Sequence, residues 1–134
     1  MYKTLKFNTT FNGYVDITEQ VREYVKESGL ENGFVIIHDP HTTASIGLGS
    51  KQEGFGDDFM LELDKMFPAT NFYRHVETPF DAAGHVKTAI VGANLSVIVK
   101  DGELLMGDDK AIYFYEFDGP RMRKVFIKAV KGVK

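Results

Sequence analysis

Apolar and polar positions along the chain follow two rhythms, one with a period of two residues and one of three to four. From Tyr2 to Thr9, Leu5 and Phe7 face one way and Lys6 and Asn8 the other, which marks a half-buried strand. Asn12-Gly13 is a hairpin dipeptide and Tyr14 to Ile17 resumes an extended run, so a hairpin is expected. The rhythm then lengthens. Val21, Tyr24, Val25 and Leu30 are spaced as the buried face of a helix from Glu19 to about Ser28. Thr18 is its expected N-cap, Glu19 and Gln20 suit its first turn, and Gly29 ends it.

Phe34-Val35-Ile36-Ile37, opened by Gly33 and closed by Pro40, reads as an interior strand that His38 continues. Ala44 to Leu48 is a second strand-like piece, and Gly49 to Gly56 is a polar, glycine-rich loop. A second helix is expected from Asp57 to Phe67, with Asp57 or Asp58 as cap and Pro68 as stop. Its buried face would hold Phe59, Leu63, Met66 and Phe67. Phe72 to Val76 reads as short and extended. For Ala82 to Val91, the small residues before His85 and the spacing of Val86, Ala89 and Ile90 favour a helix. The remainder is β: Leu95–Lys100 and Glu103–Met106 about Asp101-Gly102, then Ala111–Phe117, the turn Asp118-Gly119-Pro120, and Met122–Val130. The expected fold is α+β, about eight strands in an antiparallel, sandwich-like core with two or three outer helices.

Composition narrows the function classes. At 134 residues the chain is expected to be a single domain, 1–134, with no internal repeat. A formal charge of −3 and the absence of any Lys/Arg block argue against a nucleic-acid partner. With no cysteine, any metal must be held by His, Asp or Glu. No apolar stretch approaches the ~20 residues of a membrane helix, and no signal peptide is visible. A soluble, cytoplasmic protein with no membrane partner is therefore expected.

The chemistry-bearing residues gather at element ends. His41, just past the central strand, is followed by Thr42, Thr43 and Ser45; His75 and His85 lie in two further segments. Three imidazoles with an open fourth position make a catalytic zinc-type site, although each is equally readable as a hydrogen-bonded histidine. Asp81 would orient His85, bind metal in its own right, or equally cap the following helix. Arg121 and Arg123, two apart, would share one strand face and suit a phosphate or carboxylate, or form a surface pair balanced by Glu116. The hydroxyls beside His41 suit phosphate oxygens. No P-loop, GxGxxG or nucleophile elbow is present.

Taken in order, the motifs are more specific than any alone: His41-Thr-Thr-Ala-Ser45, Tyr73-Arg-His75, Asp81-Ala-Ala-Gly-His85, Gly92, Asp101-Gly-Glu-Leu-Leu105, Tyr115-Glu-Phe-Asp-Gly-Pro-Arg121 and Arg123. Together they resemble the YjbQ family, small proteins labelled secondary thiamine-phosphate synthase, from about Asp16 to Gly132. The resemblance implies a β-sandwich α+β fold, a homotrimer, and His41, His75 and His85 as the family's recurrent histidines. It also implies a divalent cation, zinc or magnesium, and the joining of a pyrimidine diphosphate to a thiazole phosphate with loss of pyrophosphate. The chain departs from the pattern twice. Where the family reads Ile-Asn-Glu it has Leu48-Gly49-Ser50, with Glu53 as the candidate substitute carboxylate. Where the family reads Leu-Gly-Thr-Trp-Gln it has Met106-Gly107-Asp108-Asp109-Lys110.

Three functions are consistent with this pattern. The first is a metal- and phosphate-handling transferase acting on a small phosphorylated molecule. In it His41, His75 and His85 hold the cation, Glu53 or Asp109 supplies a base, Arg121 and Arg123 clamp phosphate, and Thr42, Thr43 and Ser45 orient it. The second is a trimeric binding module without turnover. The third is a hydrolase using metal-bound water. A carboxylate that reaches the histidines would separate the first from the second.

Overall fold

In a computed structural model, which describes residues 2–75 and 78–133, the chain forms two antiparallel sheets with three helices packed about them, counted among those residues. One sheet holds, in spatial order, β1 (Lys3–Asn8), β8 (Met122–Lys131), β3 (Gly33–His38), β5 (Asn94–Lys100) and β6 (Glu103–Leu105). The other holds β2 (Gly13–Asp16), β7 (Lys110–Glu116) and β4 (Ala44–Ser50). The architecture is the expected α+β.

Alternation along the strands builds the interlayer core. Val35 and Ile37 of β3, Val97 and Val99 of β5, and Val125 and Ile127 of β8 face Ile46 of β4 and Ile112 and Phe114 of β7. Helix α1 (Thr18–Ser28) closes one side with Val21, Tyr24 and Val25. The smaller sheet is buried on its second face too, where Tyr113, Tyr115 and Phe117 lie beneath Met60 and Leu63 of α2 (Phe55–Met66). That double cover is why β7 is apolar almost throughout instead of alternating.

Several expectations change. β1 and β2 do not pair as a hairpin: β1 runs against β8 from Lys3↔Ile127 to Asn8↔Met122, and β2 against β7. The Asn12-Gly13 turn still forms, with Asn12 at φ 45°, but it carries the chain from one sheet to the other. Turn chemistry dictates a reversal, whereas partner choice follows the core-facing rows of the longer strands. Asp101-Gly102 does close the β5–β6 hairpin, both residues at positive φ. Thr18 lies inside α1 and is not its cap. Its N–H and hydroxyl donate to Asp16 Oδ1, and its Oγ1 accepts the Ile112 N–H at 2.9 Å, tying α1 to β7.

Helix α2 begins earlier than expected, after a left-handed Gly54, and neither Asp57 nor Asp58 caps it. Its buried face centres on Gly56, Met60 and Leu63, which leaves Met66 exposed at the edge. Helix α3 (Pro79–Val91) contains the expected 82–91 stretch, but Ala82, Ala83, Gly84, Lys87 and Thr88 are its buried residues, and Ala89 and Ile90 are exposed. Its cap is Thr78, whose Oγ1 accepts the Asp81 N–H at 3.2 Å, so Asp81 is not the cap. Residues 72–75 form no strand; Val76, the last residue of that expected segment, lies outside the described residues. Among the described residues, no helix is long and apolar enough to cross a membrane.

Candidate functional site

The core-facing rows of the sandwich end in polar residues at one common end. Leu5 and Phe7 lead to Thr9, Val35 and Ile37 to Asp39, Ile112 and Phe114 to Glu116, and Ile127 and Val125 to Arg123. These four residues are buried, Asp39, Glu116 and Arg123 at only 1, 0 and 3% exposure. Buried charge is tolerated only when paired and hydrogen-bonded, as Arg123 and Glu116 are. Arg123 Nε donates to Glu116 Oε1 at 2.7 Å, and its Nη2 donates both to Glu116 Oε2 and to Thr43 Oγ1, the latter at 2.8 Å. The Thr9 hydroxyl and the Asp118 N–H complete the shell of Glu116. Burial alone would raise the Glu116 carboxyl; the hydrogen bonds from Arg123 and Thr9 outweigh it and hold the group below its ordinary range.

Asp39 and His41 form the mouth of this cluster. Asp39 Oδ1 accepts the His41 N–H at 3.0 Å, while Oδ2 is buried without a partner among the described residues. Burial pushes the Asp39 carboxyl up to about 7, against the pull of the His41 N–H and of Arg123. His41 Nε2 accepts the Lys124 N–H at 3.1 Å, so the neutral ring carries its proton on Nδ1. Burial, and then Arg123, lower the pKa of the ring.

The expected phosphate groups are placed differently. Arg121 and Arg123 do not share an exposed strand face. β8 starts at Met122, Arg121 pairs with Asp118 Oδ2 at 2.5 Å in the preceding turn, and Arg123 turns inward with the core row. Arg123 is therefore occupied by Glu116 and Thr43, and it is Arg123, not a surface pair, that Glu116 balances. Thr42 is exposed, Thr43 serves Arg123, and Ser45 is buried beneath α3 with its hydroxyl donating to the Thr88 carbonyl at 3.4 Å. Glu53 is exposed beyond Ser50, at the other end of β4 from Ala44, roughly 20 Å down the strand at its ordinary rise. Asp109 lies at that same far end, where its carbonyl accepts the Lys51 N–H at 2.9 Å. Within one chain the carboxylate beside His41 is thus Asp39, which the sequence reading passed over. The signal was present: Val35, Ile37 and Asp39 share one period-two row.

His75 and His85 do come together, their rings stacked with centroids 5.3 Å apart and planes 29° apart, and Tyr73 edges onto His75. The small residue before His85 allows the approach of α3: a Cβ on Gly84 would lie 3.2 Å from the Phe117 carbonyl oxygen and 3.4 Å from Thr43 Cγ2. His85 is thereby carried to the Thr43 end of the sandwich. Two imidazoles on one tetrahedral cation, with metal–nitrogen bonds near 2.1 Å, hold their centroids about 5 Å apart, and the separation of this pair is of that size. Among the described residues no three His, Asp or Glu side chains are grouped to hold a metal, so His41 does not join the pair within one chain. Nearby, burial raises the Asp118 carboxyl and Asp81, hydrogen-bonded to it, raises it further, while Arg121 opposes both.

A family model described as UPF0047 protein YjbQ-like matches residues 3–132. The UPF0047 protein YugU of Bacillus subtilis is 38% identical over 131 residues, covering 96% of this chain and 98% of that protein. A crystal structure from Clostridium acetobutylicum, described as an uncharacterized conserved protein of the yjbq/upf0047 family, superposes with a TM-score of 0.89 at 36% identity, covering 96% of this chain and 99% of that one. A YbjQ-like protein of unknown function from Sulfolobus solfataricus gives a TM-score of 0.91 at 26% identity, covering 98% and 97% of the two chains.

Proposed function

The chain belongs to the UPF0047 YjbQ-like family, and on that premise we propose that it is a metal-binding, phosphate-handling transferase of the thiamine-phosphate-synthase type. The observation that carries this reading is the stacked pair His75 and His85, two imidazoles at a separation that suits one divalent cation. Of the two cations expected, the imidazole donors suit zinc, and such a cation would supply charge neutralisation on a departing pyrophosphate. His75 and His85 would hold it, Arg121 at the neighbouring turn would exchange Asp118 for a phosphate oxygen, and Thr42 would donate from the exposed loop. Arg123 and Thr43 act behind the site: they fix the strand ends from which His41 projects.

A homotrimer would supply the ligand that one chain lacks, with His41 of a neighbouring copy as the candidate. Support for self-association comes from the outer face of the larger sheet, where Val130, Phe34, Ile98 and Leu105 stand in register across four strands. Ile98 and Leu105 are 58 and 57% exposed, an apolar band of the kind that another subunit covers. Sedimentation at micromolar concentration should give three times the chain mass; a monomer would reject the trimer.

Zinc titration by calorimetry tests the cation. Wild type should take up about one equivalent per chain, and His75→Ala/His85→Ala should lose that uptake without a change in melting temperature. Unchanged uptake in the variant would remove the pair from the proposal. A second reading, a trimeric ligand-binding module without turnover, is favoured by Gly49, Ser50, Asp109 and Lys110 standing where the resemblance expects asparagine, glutamate, tryptophan and glutamine. Product formed from a pyrimidine diphosphate and a thiazole phosphate selects the transferase; metal and pyrophosphate binding without product selects the module.

A further inference from the structure

A cleft lies away from the histidines, between α1 and the segment that joins β6 to β7. Its volume is about 850 Å³, within the range of small-molecule pockets. The floor is apolar: Val25 and Met106 are buried and Leu104 is half-buried. Around the rim stand three cations, Arg22, Lys26 and Lys51, against two carboxylates, Glu103 and Asp108.

Pairing among these charges is incomplete. Arg22 is engaged by Glu19 at 2.5 Å, one turn back on α1. Neither Lys26 nor Lys51 has a carboxylate within ion-pair reach among the described residues, although both rim acids border the same cleft. The backbone beneath them is fixed. The Lys51 N–H donates to the Asp109 carbonyl, the Gly102 N–H donates to the Glu31 carbonyl at 2.9 Å, and Gly107 takes the left-handed conformation at φ 95°. Two exposed ammonium groups therefore stand, unmatched, over an apolar floor.

We infer that this cleft is a second binding site, for a small organic anion with an apolar body. The apolar floor gives a bare inorganic anion nothing to bury, and a neutral apolar molecule leaves the ammonium groups unanswered. Lysine stems are flexible point charges and accept a carboxylate or a phosphate head without demanding one planar geometry. The inference rests on the cleft alone and does not depend on metal at His75 and His85.

The test is an amide chemical-shift titration with 1-naphthyl phosphate, repeated with 1-naphthoate, 1-naphthol and inorganic phosphate. Saturable shifts are expected at Lys26, Gly102 and Gly107 with either naphthyl anion. Lys26→Gln/Lys51→Gln should weaken that binding at least tenfold while the melting temperature stays put, since both side chains are exposed. Shifts confined to His75, His85 or Arg121, an absence of shifts, or equal affinity in the double variant would overturn the assignment. Naphthol binding as tightly as the anions would overturn the role of charge. Inorganic phosphate binding as tightly would overturn the role of the floor.

Discussion

Glu116→Gln keeps the shape of a side chain that is wholly buried and removes the charge that answers Arg123. The guanidinium then stays in the interior with only a neutral amide and Thr43 facing it. Breaking a buried pair by removing one partner costs about 3–5 kcal/mol, far more than an exposed pair is worth. For a chain of this length each kcal/mol moves the melting temperature by about 3–4 °C, so a fall of roughly 10–20 °C is expected. Urea titration should show the midpoint falling by about 2 M at an ordinary m-value near 2 kcal/mol/M. Arg123→Met should cost a similar amount, because it strands the carboxylate. The double variant Glu116→Leu/Arg123→Met should lose much less than the two single losses added together, since apolar isosteres of a buried pair are often tolerated. It should still lose some stability, because Thr9, Thr43 and the Asp118 N–H each forfeit a partner, at about 1–3 kcal/mol where no water replaces it. The pH dependence has a definite sign. The folded pKa of Glu116 lies below its unfolded value, so its stabilisation is present above about pH 4 and is lost as pH falls through the lower folded value. That acid limb should shrink in Glu116→Gln. Single variants losing under about 1 kcal/mol, or a double variant as unstable as the sum, would refute the pairing argument.

Asp39 has the opposite sign. Its folded carboxyl sits near 7, so between about pH 4 and 7 the folded chain holds a proton that the unfolded chain has released, and stability on this group's account falls by up to about 1.4 kcal/mol per pH unit as pH rises. Asp39→Asn should flatten that slope in urea titrations between pH 5 and 8; an unchanged slope would rule the group out as its source. A Cβ at position 49 would lie 2.4 Å from Phe55 Cε2, so Gly49→Ala should destabilise by about 1–3 kcal/mol and Phe55→Leu should relieve most of it; equal melting of wild type and Gly49→Ala would contradict the contact. Thr18→Val should cost about 1–2 kcal/mol by stranding the Ile112 N–H, visible as a lowered urea midpoint.

What the sequence disclosed, it disclosed through period. The strands were legible because Leu5 and Phe7 alternate with Lys6 and Asn8 and because Phe34–Ile37 is a short apolar run bounded by turn residues, and the α3 helix was recognised although its buried residues proved to be others. Sheet membership was not legible. Asn12-Gly13 encodes a turn, and nothing local says that β1 will join β8 and β2 will join β7, more than a hundred residues later for the first of these pairs. The polar end of the core was half legible. Arg123 and Asp39 sit on apolar period-two rows and could have been assigned inward on that ground; reading Arg123 beside Arg121 as a shared exposed face ignored that row. The approach of His75 to His85 depends on how α3 lies across the strand ends, a tertiary fact that spacing does not encode.

The register of β4 against β7 gives the two departures from the family pattern a common location. Ala44 pairs with Glu116 at one end and Ser50 with Lys110 at the other, roughly 20 Å away at the ordinary strand rise. His41, Asp39 and Arg123 stand at the first end. Gly49, Ser50, Asp109 and Lys110, which replace the expected asparagine, glutamate, tryptophan and glutamine, stand at the second. Within one chain, therefore, the replaced residues are too distant to have touched His41, and their replacement does not by itself disarm the histidine end. Gly49 and Ser50 each have a local counterpart, and the neighbouring residues line a cleft. The ring of Phe55 fills the space over Gly49, the Tyr113 hydroxyl donates to the Ser50 carbonyl, and Lys51 and Asp108 line the cleft that Met106 floors. The far end is thus packed and not left empty.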